Sequence, residues 1–321
     1  MKKVYFLLLL MCAGMVYSQD SLKPVKPPKP IDRDWKFKGV MGMSVTQSSF
    51  VNWAAGGRNS LAGTAFANFS YDYKKERMLW DNDFDLSLGG IFYFGHGGGL
   101  QKTDDRIQIT TKFGYEFAKK AKGLYFSAFA DFRTQWMDGF AFPNDSVRIS
   151  KFMAPGYLTT GLGFDYSPPK VKGMFISLSP IAAKFTFVND QTLADAGAFG
   201  VDPGKFFRPE LGAYLKFKYD TKLGKNVNFS TKWDFFTNYL DNPFTRIDIN
   251  GDVMFSFKFN KWFSAYLQLQ MIYDHDINID TGKNDDAGNR IIGPRLQFKQ
   301  VLGLGINYTI QNYTDPPKKK K

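Results

Sequence analysis

Leu124-Tyr125-Phe126-Ser127-Ala128-Phe129-Ala130-Asp131-Phe132-Arg133-Thr134-Gln135-Trp136 is the stretch that decides the fold. One parity reads Leu124, Phe126, Ala128, Ala130, Phe132, Thr134 and Trp136, while the other holds Ser127, Asp131, Arg133 and Gln135. Successive side chains of an extended strand point to opposite faces, so this segment presents one apolar face and one charged face. Ile247 to Phe259 repeats the pattern, with Ile, Ile, Gly, Val and three Phe on the odd positions and Asp248, Asn250, Asp252, Ser256 and Lys258 on the even ones.

Working outward, the alternation recurs at Phe37–Val45, Leu61–Tyr73, Met78–Leu88, Ile107–Phe117, Leu158–Tyr166, Phe175–Phe187, Phe207–Tyr219, Val227–Tyr239, Phe263–Tyr273 and Leu296–Ile310. Together these predict about twelve strands. Pro180 inside Phe175–Phe187, the least clean of these segments, suggests a bulge or an edge-like irregularity there. Aromatic residues make up 17% of the chain, yet mean hydropathy is only −0.30, as interleaved apolar and polar residues require.

The connections alternate in length. Short basic turns at Lys74–Arg77, Lys119–Gly123, Pro168–Gly173, Asp220–Lys225 and Asn260–Lys261 alternate with longer loops at Ser48–Ser60, Gly95–Thr103, Met137–Ala154, Asn189–Gly204, Leu240–Thr245 and Asp274–Gly293. That rhythm, with strands longer than the roughly 5 to 6 residues of globular sheets, predicts an all-β, antiparallel transmembrane β-barrel with short periplasmic turns and longer external loops. A soluble β-sandwich also alternates, but it has no reason to hold one short-long rhythm over six hairpins. Trp35 and Trp80 at the periplasmic ends of their strands, and Trp136 at an outer end, suit aromatic girdles at the two membrane interfaces.

Residues 1–18 read as a cleaved signal peptide: Lys2 and Lys3, an apolar run from Val4 to Met15, and Val16-Tyr17-Ser18 before Gln19. The expected location is therefore the cell outer membrane. Cys12, the one cysteine, falls inside that signal; acylation of Cys12 in a lipoprotein is the competing reading. Residues 19–34 are a Pro/Lys-rich flexible leader, 35–310 the barrel and 311–321 a Lys-rich flexible tail. The net charge of +12 concentrates at these ends, and no basic face with interleaved aromatics is present, which argues against nucleic-acid binding.

If apolar residues face lipid, the other parity faces the lumen. It carries Asp81, Asp83, Asp85, Arg106, Lys112, Glu116, Asp131, Arg133, Arg208, Glu210, Lys216, Lys218, Lys232, Asp234, Asp248, Asp252, Arg295 and Lys299, which suit either salt bridges that plug a narrow barrel or a wet pore. In the external loops, Trp53 and Arg58 of the Asn52–Gly57 neighbourhood are binding candidates. So are Asp274, Asp276 and Asp280, which would share one side with Asn278 if the chain stays extended. Oxygen ligands of that kind suit Ca²⁺, although the spacing is not that of an EF-hand, and a solvated acidic loop is the plainer reading; no cofactor is otherwise implied. The two histidines, His96 and His275, fall in external loops, and no Gly-x-Ser-x-Gly elbow or other nucleophile motif accompanies them.

Asn52-Trp53-Ala54-Ala55-Gly56-Gly57, Trp80-Asp81-Asn82, Lys102-Thr103-Asp104-Asp105, Thr134-Gln135-Trp136, Ala154-Pro155-Gly156-Tyr157 and Tyr273-Asp274 resemble a domain-of-unknown-function family of outer-membrane-type barrels from Bacteroidota. The resemblance implies the barrel and its compartment and supplies no activity or functional residue. The sequence-level expectation for function is passive, pore-like transport. The alternatives are a plugged structural or docking barrel and a surface hydrolase using His275. Expected partners are outer-membrane lipid, the barrel-assembly machinery and, through the basic turns and ends, an anionic periplasmic protein.

Overall fold

The computed structural model describes residues 34–48, 58–95, 99–117, 122–141, 144–241, 243, 245–260, 262–284 and 288–313. The signal, most of the leader, Trp53 with the motif around it, His96, Asp285, Asp286 and the tail from residue 314 lie outside them.

Twelve antiparallel strands close into a barrel: β1 (Trp35–Ser48), β2 (Ser60–Lys75), β3 (Met78–Tyr93), β4 (Gly99–Glu116), β5 (Leu124–Thr134), β8 (Gly156–Tyr166), β9 (Met174–Phe187), β10 (Phe207–Lys222), β11 (Val227–Asn238), β12 (Ile247–Lys258), β13 (Phe263–Tyr273) and β16 (Gln297–Gln311). Each pairs with its neighbours along the chain, and β1 closes the ring against β16. Three long connections hold structure of their own: β6 (Gly139–Ala141) with β7 (Asn144–Ser150), the short helix α1 (Gln191–Asp195), and β14 (Asn278–Asn284) with β15 (Arg290–Pro294). Strands of 11 to 18 residues meet or exceed the roughly 9 to 11 that a tilted span needs.

The outward parity is apolar and solvent-exposed almost everywhere, as on β16, where Phe298, Leu302, Leu304, Ile306, Tyr308 and Ile310 all lie on the surface. A water-soluble protein does not leave a continuous belt of this size uncovered, whereas a lipid-facing barrel requires one. At the short-turn end Trp35 stacks on Tyr71 at 4.6 Å and lies 5.8 Å from Trp80, which places aromatic rings where the interface girdle was expected. Trp262 stacks on Tyr308 at 5.8 Å in the same belt. Trp136 is exposed just beyond the outer end of β5. The fold is a transmembrane β-barrel of the outer-membrane type.

Two irregularities change what the period-2 reading predicts. The β4 strand begins at Gly99, not near Ile107, because its register with β3 slips between Gly89 and Gly90. Thr103 drops out of the pairing there, and the alternation in the sequence blurs with it. The β9 strand slips against both β8 and β10 around Pro180, so Ser177 and Ser179 face inward below the slip while Ala182, Lys184 and Thr186 face inward above it.

Candidate functional site

The lumen is filled at mid-height by side chains from β4, β5, β9, β10 and β11. Phe129 and Tyr214, three strands apart around the ring, lie 4.9 Å apart between centroids and form a buried cluster with Ala182 and Phe236. Gly161 makes room for the Phe129 ring, since a Cβ there would come within 2.5 Å of it. Polar neighbours complete the layer. The Tyr214 hydroxyl donates to Asp234 at 2.5 Å, and Lys216 and Lys232 reach Asp234 at 3.6 and 3.9 Å. Asp131 accepts from Gln108 and Thr110, each at 2.6 Å, with Arg133 at 3.8 Å. A charge withdrawn from water is tolerated only where such partners replace the lost hydration.

Below this layer, on the short-turn side, is a cavity of about 700 Å³ with walls of opposite sign. Carboxylates predominate on one wall, with Asp72, Asp81, Asp83 and Asp85 of β2 and β3 flanked by Lys38 and Lys112, and lysines on the other, with Lys216, Lys218 and Lys232 of β10 and β11 beside Asp220. Asp85 accepts from Asn68 at 2.6 Å, and Lys112 bridges towards Asp165 at 3.0 Å and Asp81 at 3.7 Å. The strand twist brings these walls face to face; nothing local in the sequence does.

Above the layer, on the long-loop side, Lys184 is the hub. Its Nζ lies 2.6 Å from Asp248, 3.5 Å from Asp274 and 3.9 Å from Glu210, and Arg208 bridges Asp276 at 2.8 Å and Glu210 at 3.3 Å. The expected extended acidic loop is therefore corrected. The chain turns at His275 and Asp276 because the Asp274 side chain accepts the Asp276 N–H at 2.9 Å, and the carboxylates of Asp274 and Asp276 are drawn inward onto Lys184 and Arg208. His275 donates its backbone N–H to Asp248 at 3.3 Å.

The other long connections pack on this end. Ala154, Val188, Leu193, Ala194 and Val201 form a small buried core around α1. Asp190 caps α1 by accepting the Leu193 N–H at 3.2 Å and bridges Arg148 at 2.8 Å. That backbone hydrogen bond, then Arg148 and Lys151, holds the Asp190 carboxyl below the usual carboxylate range. A lowered pKa stabilises the folded form above the unfolded value of about 3.9, and the contribution is lost as pH falls through the folded value. Replacing Asp190 with alanine is expected to cost the cap about 1 kcal/mol. Hydrogen exchange of the 191–196 amides should quicken several-fold at neutral pH, and the variant should lack the acid-dependent loss of protection expected of the parent.

Of the sequence-predicted lumen residues, Asp83, Asp85, Arg106, Asp131, Arg133, Arg208, Glu210, Lys232, Asp234, Asp252 and Lys299 all lie on inward parities. Lys299 bridges Asp104 across the ring at 3.3 Å, and Asp252 accepts from Gln268 at 3.2 Å. Arg295 is corrected: it sits exposed between β15 and β16, because β16 starts only at Gln297. Arg58 lies over the Tyr93 ring at 4.8 Å, and Asp280 pairs through its backbone with Ile292 on β15. Lys184 and the mid-lumen aromatic residues, Phe129 among them, escaped the sequence reading. Lys184 did so because alternation continued from the inward Ser177 and Ser179 would put it on the lipid side, and the slip at Pro180 reverses that; Phe129 did so because charge, not an aromatic ring, was taken to mark the lumen face.

Among solved structures the chain is similar to an outer membrane channel from Pseudomonas putida F1, at 13% identity over 89% of this chain and 100% of that one, with a TM-score of 0.39. It is also similar to the Pseudomonas putida toluene transporter TodX (11% identity, 89% and 81% covered, TM-score 0.32) and to the translocator domain of the autotransporter NalP from Neisseria meningitidis (7%, 87% and 89%, 0.31). No curated protein matches the chain. Residues 45–140, less than a third of the chain, match the family described as protein of unknown function (DUF3078).

Proposed function

We propose that this chain is an outer-membrane barrel that passes small hydrophilic, charged solutes, with the short turns in the periplasm and a mid-lumen layer of side chains as its gate. The observation that carries the reading is the cavity of about 700 Å³ whose opposed acidic and basic walls end on that layer. A charged wall of each sign replaces the hydration of both ends of a dipolar solute, which a neutral bore cannot do. Because the obstruction among the described residues consists of side chains, rotamer changes open it.

Single-channel recording of the refolded chain in a planar bilayer tests this. Brief, ion-selective steps of low conductance are expected, and Lys216→Gln with Lys218→Gln should shift selectivity towards cations. Silence from a correctly folded barrel at every voltage would overturn the channel. It would favour a plugged docking barrel, for which the lysines of the short turns, suited to an anionic periplasmic partner, are the supporting observation.

A further inference from the structure

The ring is not evenly closed. Strands β1 and β2 pair through fourteen residues each, and β13 and β16 through ten, but β1 and β16 pair through only seven, from Lys38↔Gln311 to Ser44↔Gly305. Both strands run on beyond that point, β1 to Ser48 and β16 back to Gln297, with no pairing between them among the described residues. On the long-loop side the described residues therefore leave a slit in the wall, bordered by Val45–Ser48 on one edge and Val301–Leu304 on the other.

Unpaired strand edges facing hydrocarbon leave main-chain N–H and C=O groups without partners, at several kcal/mol each, unless the opening is wet or occupied. What lines the slit points to the occupant. On its inner side Thr46 of β1, Val301 and Gly303 of β16 and Gln268 of β13 form an uncharged wall, above the Ser44–Tyr266 hydrogen bond at 2.9 Å and below Lys299, in contrast to the charged walls on β3, β10 and β11. Outside, an apolar groove of about 420 Å³ adjoins it, lined by Met43, Val45, Leu88 and Leu100 with Met137 and Phe140 of the excursion after β5. Met43 and Val45 belong both to that groove and to the strand that borders the slit.

We propose that the slit between β1 and β16 is a lateral opening that admits the acyl chain of a lipid, or of a lipid-like amphiphile, from the outer half of the bilayer into the lumen. The groove collects the chain, the neutral wall receives it, and the seven-pair seam below holds the barrel shut. This path does not rest on the solute path through the mid-lumen layer.

Quenching by brominated lipid tests it. In a Cys12→Ser background, Val301→Cys and, separately, Thr46→Cys place a bimane label on the inner side of the slit. Leu302→Cys supplies a lipid-facing reference and Thr159→Cys, on the far inner wall at a similar height, a lumen reference. Each refolded variant is reconstituted in phosphatidylcholine vesicles with brominated acyl chains, its folding checked by heat-modifiable gel migration. Quenching at 301 or 46 within about twofold of that at 302, and well above that at 159, is expected. Quenching at both no greater than at 159 would overturn the lateral opening. That result would mean that the strands zip in the membrane or that a peptide strand fills the gap. Two labelled positions on different strands keep the test open if one variant fails to fold.

Discussion

A Phe129→Ala, Tyr214→Ala double variant is expected to convert the brief, low-conductance steps of the parent into steady openings of about tenfold greater conductance, because the two rings are the apolar part of the constriction. They meet at 4.9 Å across three strands, with Ala182 and Phe236 behind them. Removing both joins the cavity below to the polar cluster above, and the carboxylates and ammonium groups left behind attract water into the gap. Core truncations of this size cost about 3–5 kcal/mol each in a soluble protein. Here the closed hydrogen-bond ladder holds the wall independently of the lumen, so the variant should still refold. An unaltered conductance in a folded double variant would place the constriction elsewhere. Retained activity of the single Phe129→Ala variant alone would not decide the matter, since the Tyr214 ring can settle into the vacated space.

Lys184→Met is expected to have the largest effect on stability. The ammonium group neutralises Asp248 at 2.6 Å, Asp274 at 3.5 Å and Glu210 at 3.9 Å, and its side chain is only 12% exposed. Breaking a buried pair by deleting one partner leaves the other charge without compensation, a loss of about 3–5 kcal/mol. Adding Asp248→Asn should restore part of it, because the nearest carboxylate is then gone. Urea unfolding of the vesicle-bound barrel reads both variants. Lys299→Met is the comparison: its bridge to Asp104 at 3.3 Å is 38% exposed on the lysine side, so it should cost no more than about 1 kcal/mol. Equal losses for Lys184→Met and Lys299→Met would show that burial does not set the worth of these bridges. A loss at Lys184 that Asp248→Asn deepens would remove its role as a neutralising hub.

Much of the wall was legible because a lipid-facing strand and a water-facing lumen impose opposite chemistries on adjacent residues. Leu124 to Thr134 and Ile247 to Lys258 show this, and the structure has both as strands within two residues of the expected ends. The long loops were legible as loops but not in content. The helix at Gln191–Asp195 is held by the Asp190 cap and by burial of Leu193 and Ala194, neither of which leaves a periodic trace over five residues. The mid-lumen layer was only half visible. Asp131, Arg133, Lys232 and Asp234 were identified as inward charges, but Phe129, Tyr214 and Phe236 share their parity, and apolar content on a lumen face says nothing about which rings meet across the bore.

Alternation in the sequence determined by itself that this chain makes long antiparallel strands with an apolar outer face, and loop length determined which strand ends lie together, since both are local properties of neighbouring residues. Only the tertiary structure decided that Lys184 faces inward, because a bulge at Pro180 shifts the parity of everything after it. Closure of the ring likewise decided which walls oppose each other, where the bore is filled, and how far β1 and β16 pair. Those distances join residues remote along the chain, set by strand tilt and register, which no single segment encodes.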